Sequence, residues 1–349
     1  MPIPTIEWKD GKIKLVDQTR LPADFRYIYC GDLRSLWQAI KKLKVRGAPA
    51  IGIAGALGVL LVSEKSKRKN FKSYKREVLS SIRYLASSRP TARNLFWALE
   101  RMERALLSNK KRDVADIKTI LKKEAFGVIR EDKEICRRMA GHGAALVRKR
   151  DRILTHCNAG GLATADYGTA LGVLFEAKRL KKEITVYVDE TRPLLQGARL
   201  TSWELKKAGI KTILICDNMA ASLMAEGRID KIFVGADRIA RNGDTANKIG
   251  TYSLAVLARY HRVPFYVVAP TSTFDLNLTN GKKIPIEKRD KKEVLEFGGK
   301  RIAPAGIDAY NPAFDVTPHK LITAIVTEEG VLRPPYNKSI KYDETKRYR

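Results

Sequence analysis

Cysteine is scarce in this 349-residue chain: Cys30, Cys136, Cys157 and Cys216 are widely scattered and form no CxxC pair. Such spacing argues against a disulfide framework or a cysteine zinc site, leaves pairing among Cys30, Cys136 and Cys216 open, and makes a reducing cytosol the default setting. Histidine is equally sparse. His142, His156, His261 and His319 show no HxxxH-type spacing, so no metal site is expected. Long apolar runs are also missing. The longest, Ala48 to Val62, is crowded with glycine and alanine. It falls short of the roughly 20 residues that span a bilayer and reads as a buried helix, with no membrane contact. The N-terminal MPIPTIEWKDGK has no basic region followed by an apolar core, so no secretion signal is visible.

Acidic residues are outnumbered: 38 Asp plus Glu face 67 Lys plus Arg, a formal net charge of +29. That balance favours anionic partners, either nucleic acid or phosphorylated metabolites. The basic clusters, among them Lys65 to Arg76 and Lys288 to Lys292, sit in polar segments without interleaved aromatic stacking platforms. A solvated basic surface therefore fits better than a nucleic-acid groove. The C-terminal NKSIKYDETKRYR reads as a loose basic tail.

What is present falls into two rhythms, and the expected domains are residues 1–145 and 146–349. The first part opens with short alternating segments around Asp10-Gly11, a hairpin signal. Asp32 is placed to cap a helix whose Leu33, Leu36, Trp37, Ile40 and Leu43 recur at helical spacing. Further helical patterns follow over Tyr74 to Leu85, Thr91 to Leu107 and Val114 to Met139. From Arg152 onward, apolar strand candidates recur at Ile153–His156, Ile184–Val188, Thr212–Cys216, Lys231–Val234, Phe265–Ala269 and Leu321–Val326. Helical patterns separate the first five. The expected fold class is α/β: a small N-terminal antiparallel sheet plus helices, then a Rossmann-like, doubly wound parallel sheet. The longer segment Ser272 to Pro318 reads as an inserted loop with functional content.

In an open parallel sheet, ligands bind beyond the carboxyl ends of the strands. The residues there are Cys157, Asp189 with Glu190, Asp217, Asp237 and Pro270. Cys157 ends an apolar run and precedes Asn158-Ala159-Gly160-Gly161. A buried structural thiol is one reading. The other is a thiol tuned by backbone amides at a turn, able to exchange a proton or steady a developing charge. Asp237, which closes FVGAD, either caps the next turn or serves as a partly desolvated general acid or base. Three stretches suit phosphate and hydroxyls: VRGAPAIG with Arg46, SRPTARN with Arg89, and GDTANKIGTYSLA with Asn247 and Lys248. Each is read as the start of a helix, where free amides and basic side chains attract anions. The double glycine is not a GxGxxG fingerprint, so no dinucleotide cofactor is inferred.

Taken as a set, RGAPAIG, SRPTARNLFWAL, THCNAGGLAT, DETRPLLQGARLTSWEL, GADRIARNGDTANKIGTYSLAVLA and APAGIDAYNPAFDVTPHKLITAIVTEEGV closely resemble the 5-methylthioribose-1-phosphate isomerase family. That family shares a superfamily with ribose-1,5-bisphosphate isomerase and the regulatory subunits of translation initiation factor 2B. The resemblance runs from about Asp17 to Pro335. It implies an N-terminal small sheet with helices, a Rossmann-like C-terminal domain, a homodimer, and no cofactor or metal. It also implies an aldose–ketose isomerisation of a sugar 1-phosphate in methionine salvage. By the same resemblance, Cys157 and Asp237 are the catalytic pair, and Arg46, Gly47, Ala48, Arg89, Gln196, Asn247 and Lys248 hold the sugar phosphate. Gly161, Arg93 and Arg241 depart from the family pattern, but no matched catalytic residue is lost. Two rivals remain on sequence: an isomerase of ribose 1,5-bisphosphate or 5-deoxyribose 1-phosphate, and a binding protein of the initiation-factor type.

Overall fold

The structure is a computed structural model that describes residues 3–340. The last nine residues of the basic tail lie outside the described residues. The chain forms two compact units. One is Met1–Arg137 with Ala159–Gly172, and the other is Arg138–Asn158 with Val173–Arg349. The boundary expected after residue 145 falls inside the first segment of the second unit.

The first unit begins with an antiparallel sheet of β1 (Ile6–Lys9), β2 (Lys12–Val16) and β3 (Tyr27–Cys30). Asp10 and Gly11 join β1 to β2 with φ of 50° and 69°, the left-handed pair that a two-residue hairpin turn demands. Helices α1 (Leu33–Lys41), α2 (Ala48–Lys65), α3 (Phe71–Ala86), α4 (Arg93–Ser108) and α5 (Val114–Ala144) follow, α5 belonging to this unit as far as Arg137. Asp32 caps α1 by accepting the Ser35 N–H at 2.7 Å. The helix then stops at Lys41, because Leu43 turns left-handed at φ 56°.

Helix α2 is the core of this unit. It is long and apolar enough to cross a bilayer, with a mean hydropathy of 1.4, yet 72% of it is buried inside the protein. A core helix passes that test because every face is covered. Ile53, Leu57 and Leu60 are fully enclosed, and each contributes about 1.5–3 kcal/mol through removal from water. Its glycines set the spacing: a Cβ at Gly58 would meet Leu36 and Leu85, and one at Gly52 would meet the Asn94 carbonyl. The small residues let α1, α3 and α4 close in. Leucines there would hold them apart.

The second unit is built on a seven-stranded sheet. Its strands are β4 (Arg152–Thr155), β5 (Thr185–Asp189), β6 (Lys211–Ile215), β7 (Lys231–Val234), then β10 (Phe265–Val268), β15 (Ala324–Thr327) and β16 (Gly330–Leu332). Between β7 and β10 comes a hairpin of β8 (Arg238–Ala240) and β9 (Thr245–Lys248), absent from the strand pattern read in sequence. It joins β11 (Phe274–Asp275) and β14 (Phe314–Thr317) in a four-stranded sheet of order β11-β8-β9-β14. The segment Ser272 to Pro318 also carries α10 (Lys292–Leu295) and a β12 (Glu296–Phe297)–β13 (Lys300–Arg301) ribbon, so it is structured rather than a bare loop. Connecting helices are α6 (Ala170–Arg179), α7 (Ser202–Lys207), α8 (Ala220–Ala225) and α9 (Thr251–Tyr260), and α11 (Tyr336–Ser339) follows the last strand. Leu254, Ala255 and Ala258 of α9 share one core with Leu154, Ile232, Phe265 and Ile325 of the sheet.

The order of the large sheet is β16-β15-β10-β7-β4-β5-β6, all parallel except the edge strand β16. From β4 the chain winds outward through β5 and β6, then returns to β4's other side and winds outward through β7, β10 and β15. The reversal falls between β4 and β7, which pair through Ile153–Lys231 and Leu154–Ile232. In a doubly wound sheet, that switch point opens the crevice where ligands bind. Strand β15 starts at Ala324, three residues after the expected Leu321, because His319–Leu321 tightens into a 3₁₀ turn.

Candidate active site

Cys157 and Asp237 follow the two strands that flank the switch point. Cys157 lies two residues past β4 and Asp237 three past β7. Cys157 is half-buried and adopts φ 64°, a left-handed conformation that costs a non-glycine residue about 1–2 kcal/mol. Its neighbours hold it there. The Cys157 N–H donates to Thr191 Oγ1 at 2.8 Å, and its carbonyl accepts Thr201 Oγ1–H at 2.6 Å. Thr191, itself at φ 66°, is fixed in turn: its N–H and that of Arg192 donate to the two Asp217 carboxylate oxygens, each at 2.7 Å. Beside it, the Asn158 amide donates to Thr201 Oγ1 at 3.0 Å and to the buried Glu204 at 2.7 Å. All this sits at the carboxyl ends of β4, β5 and β6.

His156 precedes the cysteine and is 2% exposed. Its Nδ1 lies 2.9 Å from Asp189 Oδ2, at the end of β5, and its Nε2 lies 2.9 Å from the Ile249 carbonyl. Burial works against a charged ring, but the Asp189 carboxylate, the Asp217 charge and the Ile249 carbonyl outweigh it and raise the His156 pKa. His156, Asp189 and Asp217 bring three donor atoms within 4.8 Å of one another. Those atoms already serve hydrogen bonds: both ring nitrogens face acceptors, and both Asp217 oxygens accept amides. The set fits a hydrogen-bond network better than a metal cradle.

Gln196 is 5% exposed, and its Oε1 has no hydrogen-bond partner among the described residues. It leads into a five-residue π-helix, Gly197–Thr201, a rare widening that recurs at functional sites. The wide turn presses Gly197 against the end of β5 so closely that any Cβ would collide with the Asp189 carbonyl oxygen. Asn247 and Lys248 are on strand β9, which corrects the expectation that they open a helix. The reason is tertiary: β9 pairs with β8 and with β14, and the Asp237 N–H donates to the Ala246 carbonyl at 2.9 Å. Helix α9 begins only after Gly250, at φ 101°, where Asp315 accepts the N–H groups of Gly250 and Tyr252 at 2.7 and 3.0 Å. The buried Asn247 amide donates to Thr251 Oγ1 at 3.0 Å, and Lys248 Nζ donates to the Ala313 carbonyl at 2.8 Å.

Cys157, Asp237, Gln196, Asn247 and Lys248 all belong to the second unit, where His156 ties the segment of Cys157 to that of Asn247 and Lys248 through the Ile249 carbonyl. Arg46, Gly47, Ala48 and Arg89 belong to the first unit, as does the glycine turn after Asn158. There Gly47 is the N-terminal cap of α2 at φ 90°, and a Cβ on it would strike Ala163 of that turn. Arg46 is buried just ahead of it. Ala48 opens α2, as expected. Arg89 is half-buried four residues before α4, in a turn that its carbonyl closes with the Ala92 N–H at 3.1 Å, not at the helix start itself. No disulfide joins the four cysteines among the described residues: Cys30 and Cys136 are buried, and Cys216 is exposed.

Sequence reasoning missed His156, Thr191, Thr201 and the Asn158–Glu204 pair. Only His156 gave a usable signal, since it stands at a strand end beside the candidate cysteine. Its partner becomes apparent once β4 and β5 are known to be neighbours.

Residues 44–334 match the model of the initiation factor 2 subunit family. The chain belongs to that family. It is 54% identical over 339 residues to a 5-deoxyribose 1-phosphate isomerase of Moorella thermoacetica, covering 97% of each chain. It is 55% identical over 337 residues to a methylthioribose-1-phosphate isomerase of Geobacter sp. strain M21, again covering 97% of each. Among solved structures, the 5-methylthioribose 1-phosphate isomerase of Pyrococcus horikoshii superposes with a TM-score of 0.90 at 45% identity, over 97% of this chain and 94% of that one. The expected fold class, a small antiparallel sheet with helices and a large doubly wound sheet, is the fold observed.

Proposed function

We propose that the chain is an aldose–ketose isomerase that converts 5-methylthioribose 1-phosphate to 5-methylthioribulose 1-phosphate in methionine salvage. The observation that carries this reading is the placement of Cys157 and Asp237 after the two strands flanking the sheet's switch point. The names of the Geobacter and Pyrococcus relatives support the substrate. The phosphate on C1 locks the sugar as a furanose, so no free aldehyde acidifies the C2 hydrogen. Ring opening must come first. Asp237, half-buried, donates a proton to the ring oxygen as its bond to C1 breaks, and takes the 2-hydroxyl proton back as C2 becomes the ketone. Cys157 then manages the hydrogen that leaves C2 and arrives at C1, through an enolate-like species or beside a direct hydride shift. The reaction is internally redox-neutral and requires no external oxidant or cofactor. Gln196, with a buried carbonyl oxygen lacking a partner among the described residues, suits a sugar hydroxyl. Arg46, the Gly47-Ala48 amides at the start of α2, Arg89, Asn247 and Lys248 suit the phosphate.

In this reading the enzyme works as a homodimer in a reducing cytosol, a setting that suits four cysteines outside any disulfide. A second substrate is favoured by the Moorella relative: 5-deoxyribose 1-phosphate differs only at C5, far from the reacting carbons. The test is turnover of both sugars, with ribose 1,5-bisphosphate in parallel, by wild type, Cys157→Ala and Asp237→Asn. Conversion of the methylthio sugar, lost in both folded variants, is the expected result. Conversion of the bisphosphate alone would move the enzyme to another pathway. No turnover at all, with salt-dependent RNA binding, would favour a binding role. Deuterium from solvent at C1 of the product marks the enolate route, and its absence marks the direct shift.

A further inference from the structure

The ring of His156 spans the crevice between two segments that the proposed chemistry needs. On one side, the backbone of Cys157 starts at the next residue. On the other, the Ile249 carbonyl lies one residue beyond Lys248 and two beyond Asn247. A carbonyl oxygen only accepts, so the Nε2 facing it at 2.9 Å must carry a hydrogen. The Nδ1 faces the Asp189 carboxylate at 2.9 Å. Two fixed acceptors thus determine the ring from opposite ends. Packing confines it further, since a Cβ at Gly250 would stand only 3.0 Å from His156 Cε1. Asp189 is 2% exposed, at the end of β5, so the anchor is itself rigid. The charged groups facing the ring are Asp189 at the end of β5, Asp217 just after β6, and Asp315 from β14. Glu190 adds to the charge around Asp189.

We propose that His156, strung between Asp189 and the Ile249 carbonyl, is a positioning residue. It holds Cys157 in its left-handed conformation and fixes the distance from Cys157 to the end of β9 that bears Asn247 and Lys248. The inference rests on the isomerase reading for its consequence in catalysis, but not for its geometry. A left-handed cysteine is strained, and strain of this kind persists only where surrounding contacts over-determine it. His156 supplies a contact that neither Thr191 nor Thr201 can: one that reaches the β9 turn.

The test compares His156→Gln and Asp189→Asn with wild type in the full chain. Glutamine has donors on one atom only and cannot face an acceptor at each end. Asparagine at 189 can donate to a neutral ring Nδ1, so both bonds of His156 survive. In crystal structures, His156→Gln is expected to release Cys157 from positive φ or to separate it from Ile249 by about 1 Å, while Asp189→Asn keeps both. In turnover of 5-methylthioribose 1-phosphate, His156→Gln should lose on the order of a hundredfold in kcat, the effect of an ångström-scale misplacement. Asp189→Asn, the conservative rescue, should lose no more than about threefold. A merely structural role would lower the melting temperature and leave the kcat of the folded fraction intact. Folded His156→Gln with Cys157 and Ile249 in place, or with wild-type kcat, overturns the proposal. Should that variant not fold, Asp189→Leu deletes one anchor and should show the same displacement; an unmoved ring overturns it equally. If wild type converts no sugar phosphate, the isomerase reading fails, while the crystallographic comparison still decides the positioning.

Discussion

Helix α2 in the first unit and the carboxyl-end rim of the sheet in the second are both buried, but for opposite reasons. The helix is enclosed by Leu36, Leu85, Leu95 and Leu99 and presents neither charge nor strain over its middle turns. The rim buries His156, Asn158, Asp189, Gln196 and Glu204 within a few residues of one another in space or sequence, and holds Cys157 and Thr191 at positive φ. Apolar burial stabilises by itself. Polar burial is tolerated only when hydrogen bonds replace water, and it gains little net stability. A region that concentrates buried polar groups and strained backbone is held for its chemistry and draws its stability from elsewhere. Here that other part is the second unit's own core, where Leu154, Ile232, Phe265 and Ile325 pack with Leu254 and Ala255.

The sharpest way to break this comparison is at the rim. Cys157→Ala and Asp237→Asn should each reduce kcat/KM by about 10²–10⁴-fold, with melting temperatures close to wild type, measured by product formation and calorimetry. A large loss of stability in either variant would mean that the rim is ordinary core. The converse is Leu57→Ala in α2. It should cost about 2–5 kcal/mol in denaturant unfolding and leave the kcat of the folded protein at its wild-type value. Thr201→Val removes the hydroxyl that serves both Cys157 and Asn158. It should fall between the two extremes, at about 1–2 kcal/mol of stability with a measurable fall in kcat.

A pH-dependent comparison concerns Asp132 of α5 in the first unit. Burial of its carboxyl group pushes its pKa up to about 7, with the neighbouring Asp166 adding to the rise and the Ala165 N–H opposing it. The folded protein therefore holds this proton through a range in which the unfolded chain has lost it. Stability from the group is full below the ordinary carboxylate pKa and is lost as pH rises through about 7. Asp132→Asn should flatten that decline in thermal unfolding scans between pH 4 and 8. An unchanged slope would place the pH response outside this helix.

Much of the fold was legible because it follows from local pattern. Asp10-Gly11 fixed a hairpin, Asp32 capped its helix, and the spacing of apolar residues located five sheet strands to within a residue and helices α2 to α5 with ends that differ by as much as five. The errors fall where tertiary contacts override that pattern. GDTANKIG carries the polar and glycine signals of a helix start, yet β8 and β14 capture Thr245–Lys248 as a strand and delay α9 to Thr251. Arg89 was tied to a helix that begins four residues later, because the Pro90-Thr91 turn intervenes. Cys157 and Asp237 were readable as strand-end residues, but no spacing in sequence shows that β4 and β7 are neighbours.

The sequence by itself determined which segments are helical or extended, which faces are apolar, and which thiol and carboxylates end the strands. Those are short-range matters of periodicity, capping and turn chemistry. The tertiary structure alone decided that the winding reverses between β4 and β7. It also paired His156 with Asp189 and Ile249, and opened a π-helix beside Gln196. The two bonds of His156 join residues 33 and 93 positions apart in the chain, where only the packed sheet brings donor and acceptor within reach.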